Sequence, residues 1–184
     1  TVTVGCSIGI AFAPKHGDRG DEILKNADLA LYKAKNEGRN CFRVYDAKLK
    51  TEADSRNALE NDLRQAVWRD EFDLLYQPIV ENKTGRIRAV EALVRWRHPT
   101  KGMVPPADFI PLAEETGLII QLGEWVMAKA CHDAMKMPDE VKVAINLSPV
   151  QFAKSNIVDA VICALVDSQL PPERLEIEIT ENVL

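Results

Sequence analysis

Residues 88–99 read RAVEALVRWRHP, in which Val90, Ala92, Val94 and Trp96 alternate with Ala89, Glu91, Leu93, Arg95 and Arg97. Such alternation is the pattern of a β-strand that shows its two faces to different surroundings. One face is apolar. The other mixes a carboxylate and two guanidinium groups with Ala and Leu. If that mixed face lines an interior, Glu91 and Arg95 are costly there and need partners.

Two later stretches repeat the pattern. In VKVAINLS (141–148), Val141, Val143, Ile145 and Leu147 oppose Lys142, Ala144, Asn146 and Ser148. In LEIEITE (175–181), Leu175, Ile177 and Ile179 oppose Glu176, Glu178 and Thr180. Ahead of them FDLLYQPIV (72–80) and the strand around Glu91 are joined by a turn at NKTG, as in a hairpin. PADFIPLAEETG and IIQLGEWVMAKACHDAMKM read as helices, and VQFAKSNIVDAVICALVDSQL as one more. Strands that alternate with helices imply parallel pairing through βαβ crossovers, in a β/α barrel or an open doubly wound sheet. No GxGxxG follows a strand, which gives a dinucleotide-binding version little support.

In a barrel the bulky apolar faces pack on the outer helices and the mixed faces turn inward, with sites at the carboxyl ends of the strands. Each strand then offers one oxygen ligand: Glu91, Asn146 and Glu178. Two carboxylates and an amide suit Mg²⁺ or Mn²⁺ better than zinc. Such ions activate water for phosphodiester cleavage. Arg95, on the face of Glu91, is placed to hold a phosphate bidentately. The competing reading is a solvated strand face. Glu176 alternates just as well and is assigned no role.

The first part of the chain has a different rhythm. TVTVGCSIGIAFAP (1–14) is β-rich, and DEILKNADLALYKAKNEGRN (21–40) carries Ile23, Leu24, Ala27, Leu31 and Ala34 at helical spacing. Asp18 or Asp21 is the expected cap and Gly38 the stop. CFRVY is a short strand. DAKLKTEADSRNALENDLRQAVWRDEF is charged and helical, with Leu59, Leu63, Ala66 and Val67 as its apolar stripe. Its exposed first half is the expected linker between domains. Both ends of the chain fall at strands, as expected for a piece of a longer protein.

At 184 residues, 46% hydrophobic and 28% charged, with a net charge of −5, the chain has the make-up of a globular protein. That charge argues against DNA or RNA as a partner. The four cysteines form no CxxC pair and the three histidines no paired spacing, so a reduced, cytoplasmic setting and no zinc site are expected. No stretch reads as a signal peptide or a transmembrane helix. The parent protein could still be membrane-anchored through another region.

LLYQPIV, EALVRWRHP, FIPLAEETGLI, INLSP and EIEITE occur in this order. Together they resemble the EAL domain family, the bacterial cyclic-di-GMP phosphodiesterases. VTVGCSIGIAFAP followed by LKNADLALYKAKNEGRN resembles the last third of a GGDEF domain, the diguanylate cyclase fold. The resemblance implies an α/β protein, a partial (β/α)8 TIM-like barrel of EAL type preceded by the end of an α/β GGDEF domain. Residues 1–46 would close the GGDEF domain, 47–57 form a helical linker, and 58–184 begin the EAL domain.

The resemblance also implies roles. Glu91, Asn146 and Glu178 would be metal ligands for Mg²⁺ or Mn²⁺, and Glu91 catalytic. Glu181 would support a later active-site loop. Gln77, Leu93 and Arg95 would bind substrate, cyclic di-GMP, which is hydrolysed to pGpG. Lys35 and Arg39 would be vestigial nucleotide contacts, with GTP as a ligand of the parent's GGDEF part. A solvated basic helix end explains that pair equally well. The family's downstream acidic pair, Lys and Glu are not in the sequence, so the chain by itself is expected to be inactive. A catalytically silent cyclic-di-GMP receptor is the alternative. An unpaired edge after EIEIT would be relieved by a homodimer, by strand swapping or by continuation of the chain.

Some residues invite plainer readings. Trp68, Trp96 and Trp125 are expected to pack, and His98 to be a structural strand end. Cys131 and Cys163 are expected to be buried thiols, and Glu114 and Glu115 to point away from the barrel mouth.

Overall fold

The computed structural model describes residues 4–179 and divides the chain into two compact units, Thr1–Leu59 and Glu60–Leu184. Thr180 and Glu181 lie outside the described residues.

In the first unit β1 (Ile8–Ile10) pairs in parallel with β2 (Phe42–Val44), and α1 (Gly20–Asn36) crosses between them. The strand lies directly on the helix. A Cβ on Gly9 would meet the Ala27 carbonyl oxygen at 2.0 Å and the Leu31 nitrogen at 2.3 Å, so only glycine fits there. Asn26, Ala30 and Ala34 form the buried side of α1, and Asn26 donates to the His16 carbonyl at 2.7 Å. Leu24 is instead 69% exposed. Neither Asp18 nor Asp21 caps α1. Arg19 occupies the cap position with no side-chain cap bond, and its guanidinium engages Asp21 in the first turn. β1 is shorter than the β-rich run suggests, because the chain has turned by Phe12, whose carbonyl accepts from the His16 N–H at 2.7 Å. α2 (Ala47–Ala66) is one continuous helix.

The second unit is built on a five-stranded sheet. β3 (Phe72–Val80) and β4 (Ile87–His98) are the antiparallel hairpin, and β5 (Gly102–Val104) also pairs with β4. β6 (Lys142–Leu147) and β7 (Leu175–Ile179) then add in parallel, giving the order β3-β4-β6-β7. The helices are α3 (Pro106–Thr116), α4 (Ile119–Ala134), α5 (Pro149–Lys154) and α6 (Ile157–Ser168). The sheet is an arc of a barrel, not a closed one. The single helix expected after Ser148 is two, because Ser155 adopts an extended backbone and Asn156 opens α6.

The apolar face of β4 packs as its alternation requires. Val90, Ala92, Trp96 and His98 are buried, as are Val143 and Ile145 of β6. Trp96 and Phe109 are fully buried, and Phe72 touches both, along with Trp125, at ring separations of 5.8 to 5.9 Å. Burial of each such ring contributes about 1.5–3 kcal/mol. The Trp96 indole N–H donates to Glu71 at 3.0 Å, so the donor of this fully buried ring is met. His98 is a buried clamp: Nδ1 accepts the Thr100 and Lys101 backbone N–H groups, and Nε2 meets Asp62 at 3.0 Å. Trp68, by contrast, is 79% exposed and packs in no core. Cys131 is buried, and burial raises its thiol pKa to about 11, whereas Cys163 is exposed because it lies on the outer side of α6.

Arg174 had no signal in the strand pattern. It is buried, and its guanidinium donates to the carbonyls of Ala134, Pro138 and Val141 at 2.8 to 3.0 Å. It thereby ties the C-terminal end of α4 to the start of β6.

Candidate functional site

The mixed faces of β3, β4, β6 and β7 form one surface. Register places Gln77 opposite Glu91, Glu91 beside Ala144, and Ala144 beside Glu176. One step further along, Asn146 stands beside Glu178. Period-two alternation along each strand brings these residues to the same side. Asn146 Nδ2 donates to Glu91 Oε1 at 2.6 Å, so two of the expected oxygen ligands from different strands are in direct contact. Glu91 is half-buried, while Gln77, Asn146 and Glu178 are exposed.

Glu176 lies on the same face and is in a different electrostatic state. Lys142 Nζ is 2.8 Å from its carboxylate, and Arg88 Nη2 is 3.1 and 3.3 Å from its two oxygens. Arg88 reaches it through an irregularity in the hairpin: Val80 pairs with Ile87 and Ile79 with Ala89, leaving Arg88 as the extra residue of a bulge. The Lys142 hydrogen bond, with the Lys142 and Arg88 charges, holds the Glu176 carboxyl below its ordinary range against some desolvation. Among the described residues neither Glu91 nor Glu178 has an ion-pair partner.

Arg95 is half-buried, and its Nη1 donates to the Val94 carbonyl at 2.9 Å. Asp73 is its register partner, yet that carboxylate pairs with Arg97 instead. Among the described residues Arg95 has no ion-pair partner. Leu93 stands opposite Leu75 on the same surface.

Arg95, Leu93 and Asn146 also line a cleft of about 210 Å³ at the carboxyl ends of β4 and β6. Its far wall holds Glu114, whose Oε1 accepts from the Ser148 hydroxyl at 2.7 Å. The expectation that Glu114 points away is therefore wrong. The helix ends at Gly117 in a left-handed cap, and that geometry turns the preceding turn of α3 toward the end of β6. Ser148 is itself fixed by a capping box, accepting from Val150 N–H while Gln151 Oε1 accepts from the Ser148 N–H. Gln151 in turn abuts Gly123, where a Cβ would fall 1.8 Å from Gln151 Nε2. The motif text carried a signal for this shell, since the capping-box spacing S-x-x-Q is visible in SPVQ.

Lys35 and Arg39 belong to the first unit. Lys35 is exposed on the last turn of α1, and Arg39 follows at a left-handed φ of 59°, its N–H bonded to the Ala34 carbonyl. Glu181 cannot be placed, lying outside the described residues.

The site's oxygen-rich, cation-poor end fits a hard divalent ion. Its donors are two carboxylates and one amide oxygen, and none of them is spent on a cation among the described residues. No cluster of three or more His, Cys, Asp or Glu that could hold a metal ion occurs among the described residues. No helix of the described residues is long and apolar enough to cross a membrane.

An open sheet with two antiparallel and two parallel pairings, with these residues toward its carboxyl ends, defines an arc of a β/α barrel. The EAL domain family matches residues 60–184, and the diguanylate cyclase GGDEF domain matches residues 1–41. The chain belongs to the EAL domain family and carries the C-terminal end of a GGDEF domain before it. It is 42% identical over 185 residues to the bifunctional diguanylate cyclase/cyclic di-GMP phosphodiesterase MucR of Pseudomonas aeruginosa, covering 98% of this chain and 27% of that protein. It is 37% identical over 186 residues to the cyclic di-GMP phosphodiesterase PdeR of Escherichia coli, covering 100% of this chain and 28% of that one. The chain thus spans about a quarter of the length of these relatives. Among solved structures, the c-di-GMP complex of the PaMucR phosphodiesterase aligns with a TM-score of 0.64 at 44% identity, over 67% of this chain and 52% of that one. The FimX EAL domain of Pseudomonas aeruginosa bound to c-di-GMP aligns with a TM-score of 0.61 at 29% identity, over 67% and 50%.

Proposed function

We propose that the protein hydrolyses cyclic di-GMP to linear pGpG, using Mg²⁺ or Mn²⁺ held by Glu91, Asn146 and Glu178. The observation that carries this reading is the state of the inward face: Glu91 and Asn146 are in contact, and among the described residues no cation pairs with Glu91 or Glu178 and no carboxylate pairs with Arg95. An acidic face kept free of cations next to a free guanidinium suits a ligand set for divalent metal and phosphate together. Bound there, the divalent ion supplies positive charge that stabilises the phosphodiester transition state and acidifies a nearby water.

The chain's own residues do the positioning. The Asn146 amide donates to Glu91 through Nδ2, so one hydrogen bond orients two residues that would hold the ion. Arg95 holds a phosphate oxygen, and its fork geometry fixes the diester's orientation. Gln77, across the hairpin from Glu91, meets the nucleotide. Leu93 provides apolar contact. Glu181, which lies outside the described residues, would support a later active-site loop. The solved EAL complexes with c-di-GMP support the substrate class.

The test is turnover of cyclic di-GMP with Mn²⁺, followed by chromatography of pGpG, in this chain and in the longest form of the protein that carries it. Hydrolysis by the longer form, lost in Glu91→Ala, supports the reading. Tight binding without hydrolysis in that form supports the receptor reading instead.

A further inference from the structure

Arg97 lies two residues beyond Arg95 on the mixed face of β4, and the chemistry proposed above gives it no task. Yet it is held at several points. Its backbone N–H donates to the Glu71 carbonyl at 2.7 Å, and its Nη2 reaches the Asp70 carbonyl at 3.5 Å. Its Nε meets one oxygen of Asp73 and its Nη2 donates to the other at 3.2 Å, the fork that matches a guanidinium to a carboxylate.

Asp73 has a nearer claimant. Its register partner across the hairpin is Arg95. Residues directly opposite on one face have Cβ atoms about 4.5–5.5 Å apart, closer than diagonal neighbours such as Asp73 and Arg97, and opposite charges so placed attract. Here the diagonal pair forms instead, and Arg95 donates to the Val94 carbonyl at 2.9 Å. Resting on the reading of Arg95 as the phosphate contact, we propose that Arg97 is a positioning residue: it holds Asp73 on the diagonal and so keeps the Arg95 guanidinium open for the phosphate of the substrate. Without Arg97, Asp73 turns to its opposite neighbour. A phosphate must then displace a carboxylate from Arg95 before it binds. Nothing in this lock requires Arg97 to touch the substrate.

The lock is read first without any nucleotide. In heteronuclear NMR of the chain, the Arg95 Nε–H should exchange with water about two- to fivefold more slowly in Arg97→Ala, the protection expected of a new exposed ion pair. It should return to the parent rate when Asp73→Asn is added. Affinity is read second, by calorimetry of the longest form with cyclic di-GMP and a chelator, so that no turnover intervenes. Arg97→Ala should bind about two- to fivefold more weakly, the competition expected of such a pair. Asp73→Asn should bind like the parent, because its charge is already taken, and the double variant should recover parent affinity. All three should melt within a few degrees of the parent, since the Arg97–Asp73 pair is about half-exposed.

An Arg95 signal unchanged in Arg97→Ala would overturn the inference. So would a loss of affinity that persists in the double variant, which would make Arg97 itself a substrate contact. Asp73→Asn tightening binding as much as Arg97→Ala weakens it would also overturn it, by reducing both to simple charge. Arg95→Ala separates this inference from the reading it rests on. If that variant binds cyclic di-GMP as the parent does, or if neither binds, the phosphate role of Arg95 falls, while a slowed Arg95 signal leaves the lock on Asp73 standing. If it binds at least about tenfold more weakly and Arg97→Ala binds like the parent, the phosphate role stands and the inference falls.

Discussion

Two carboxylates sit two residues apart on β7, on the same face, and the protein treats them in opposite ways. Glu176 is gripped by Lys142 and by the bulged Arg88. Glu178, beside Asn146, has no ion-pair partner among the described residues. Nothing in the local text separates them: LEIEIT gives each the same alternation. What separates them is the neighbouring strand. Lys142 opens β6 and Asn146 nearly closes it, so the sheet's amino end carries cations for its acid and its carboxyl end carries an amide. Neutralised charge holds the scaffold, and unneutralised oxygen is left for a ligand. This is the division expected of β/α barrels, in which the carboxyl ends of the strands carry the chemistry.

The contrast can be broken most forcefully at Glu91. Replacement by Ala should lower cyclic-di-GMP turnover of the longest form at least about 100-fold while leaving the melting temperature within a few degrees, since the residue has no cation to strand. A loss of turnover matched by unfolding on circular dichroism would say that the open face is structural. Next comes metal. Saturating Mn²⁺, at about 100 times its dissociation constant, should stabilise the parent chain by about 2–3 kcal/mol. Glu178→Gln should remove most of that gain in a thermal shift, and Glu176→Gln should leave it intact.

A smaller effect sharpens the other side. Glu176→Gln should cost about 0.5–1 kcal/mol in urea unfolding at low salt and less at high salt, because partly exposed ion pairs are screened. Its pH dependence has a definite sign. The folded Glu176 carboxyl is held below its ordinary value by Lys142 and Arg88. Its contribution is therefore full above the ordinary carboxylate pKa and disappears as pH falls through the lowered folded value. The stability difference between the parent and Glu176→Gln should shrink between about pH 5 and pH 3. A constant difference would mean that the cations do not act on Glu176 as a charge.

Much of this was legible in the sequence. Alternation alone put Glu91, Asn146 and Glu178 on one face, and the hairpin and parallel strands stand where the rhythm placed them. The failures have physical causes. Leu24 fits a helical stripe, but β1 approaches α1 so closely at Gly9 that alanines and Asn26 fill the buried side instead. The break between α5 and α6 comes from the extended backbone at Ser155, which no apolar period signals. Glu114 reaches the cleft because of where its helix ends relative to β6, a tertiary fact that period counting on one helix cannot contain. Arg88 was invisible as Glu176's partner because a bulge, not alternation, aims it.

The most direct test is Mn²⁺ binding by the chain, followed by calorimetry or electron paramagnetic resonance, in three forms: parent, Glu91→Ala and Glu176→Gln. The account predicts at least about tenfold weaker binding in Glu91→Ala and near-parent binding in Glu176→Gln. Equal loss in the two variants, or parent-like binding in Glu91→Ala, would contradict the division of the sheet face into a neutralised end and a ligand-binding end.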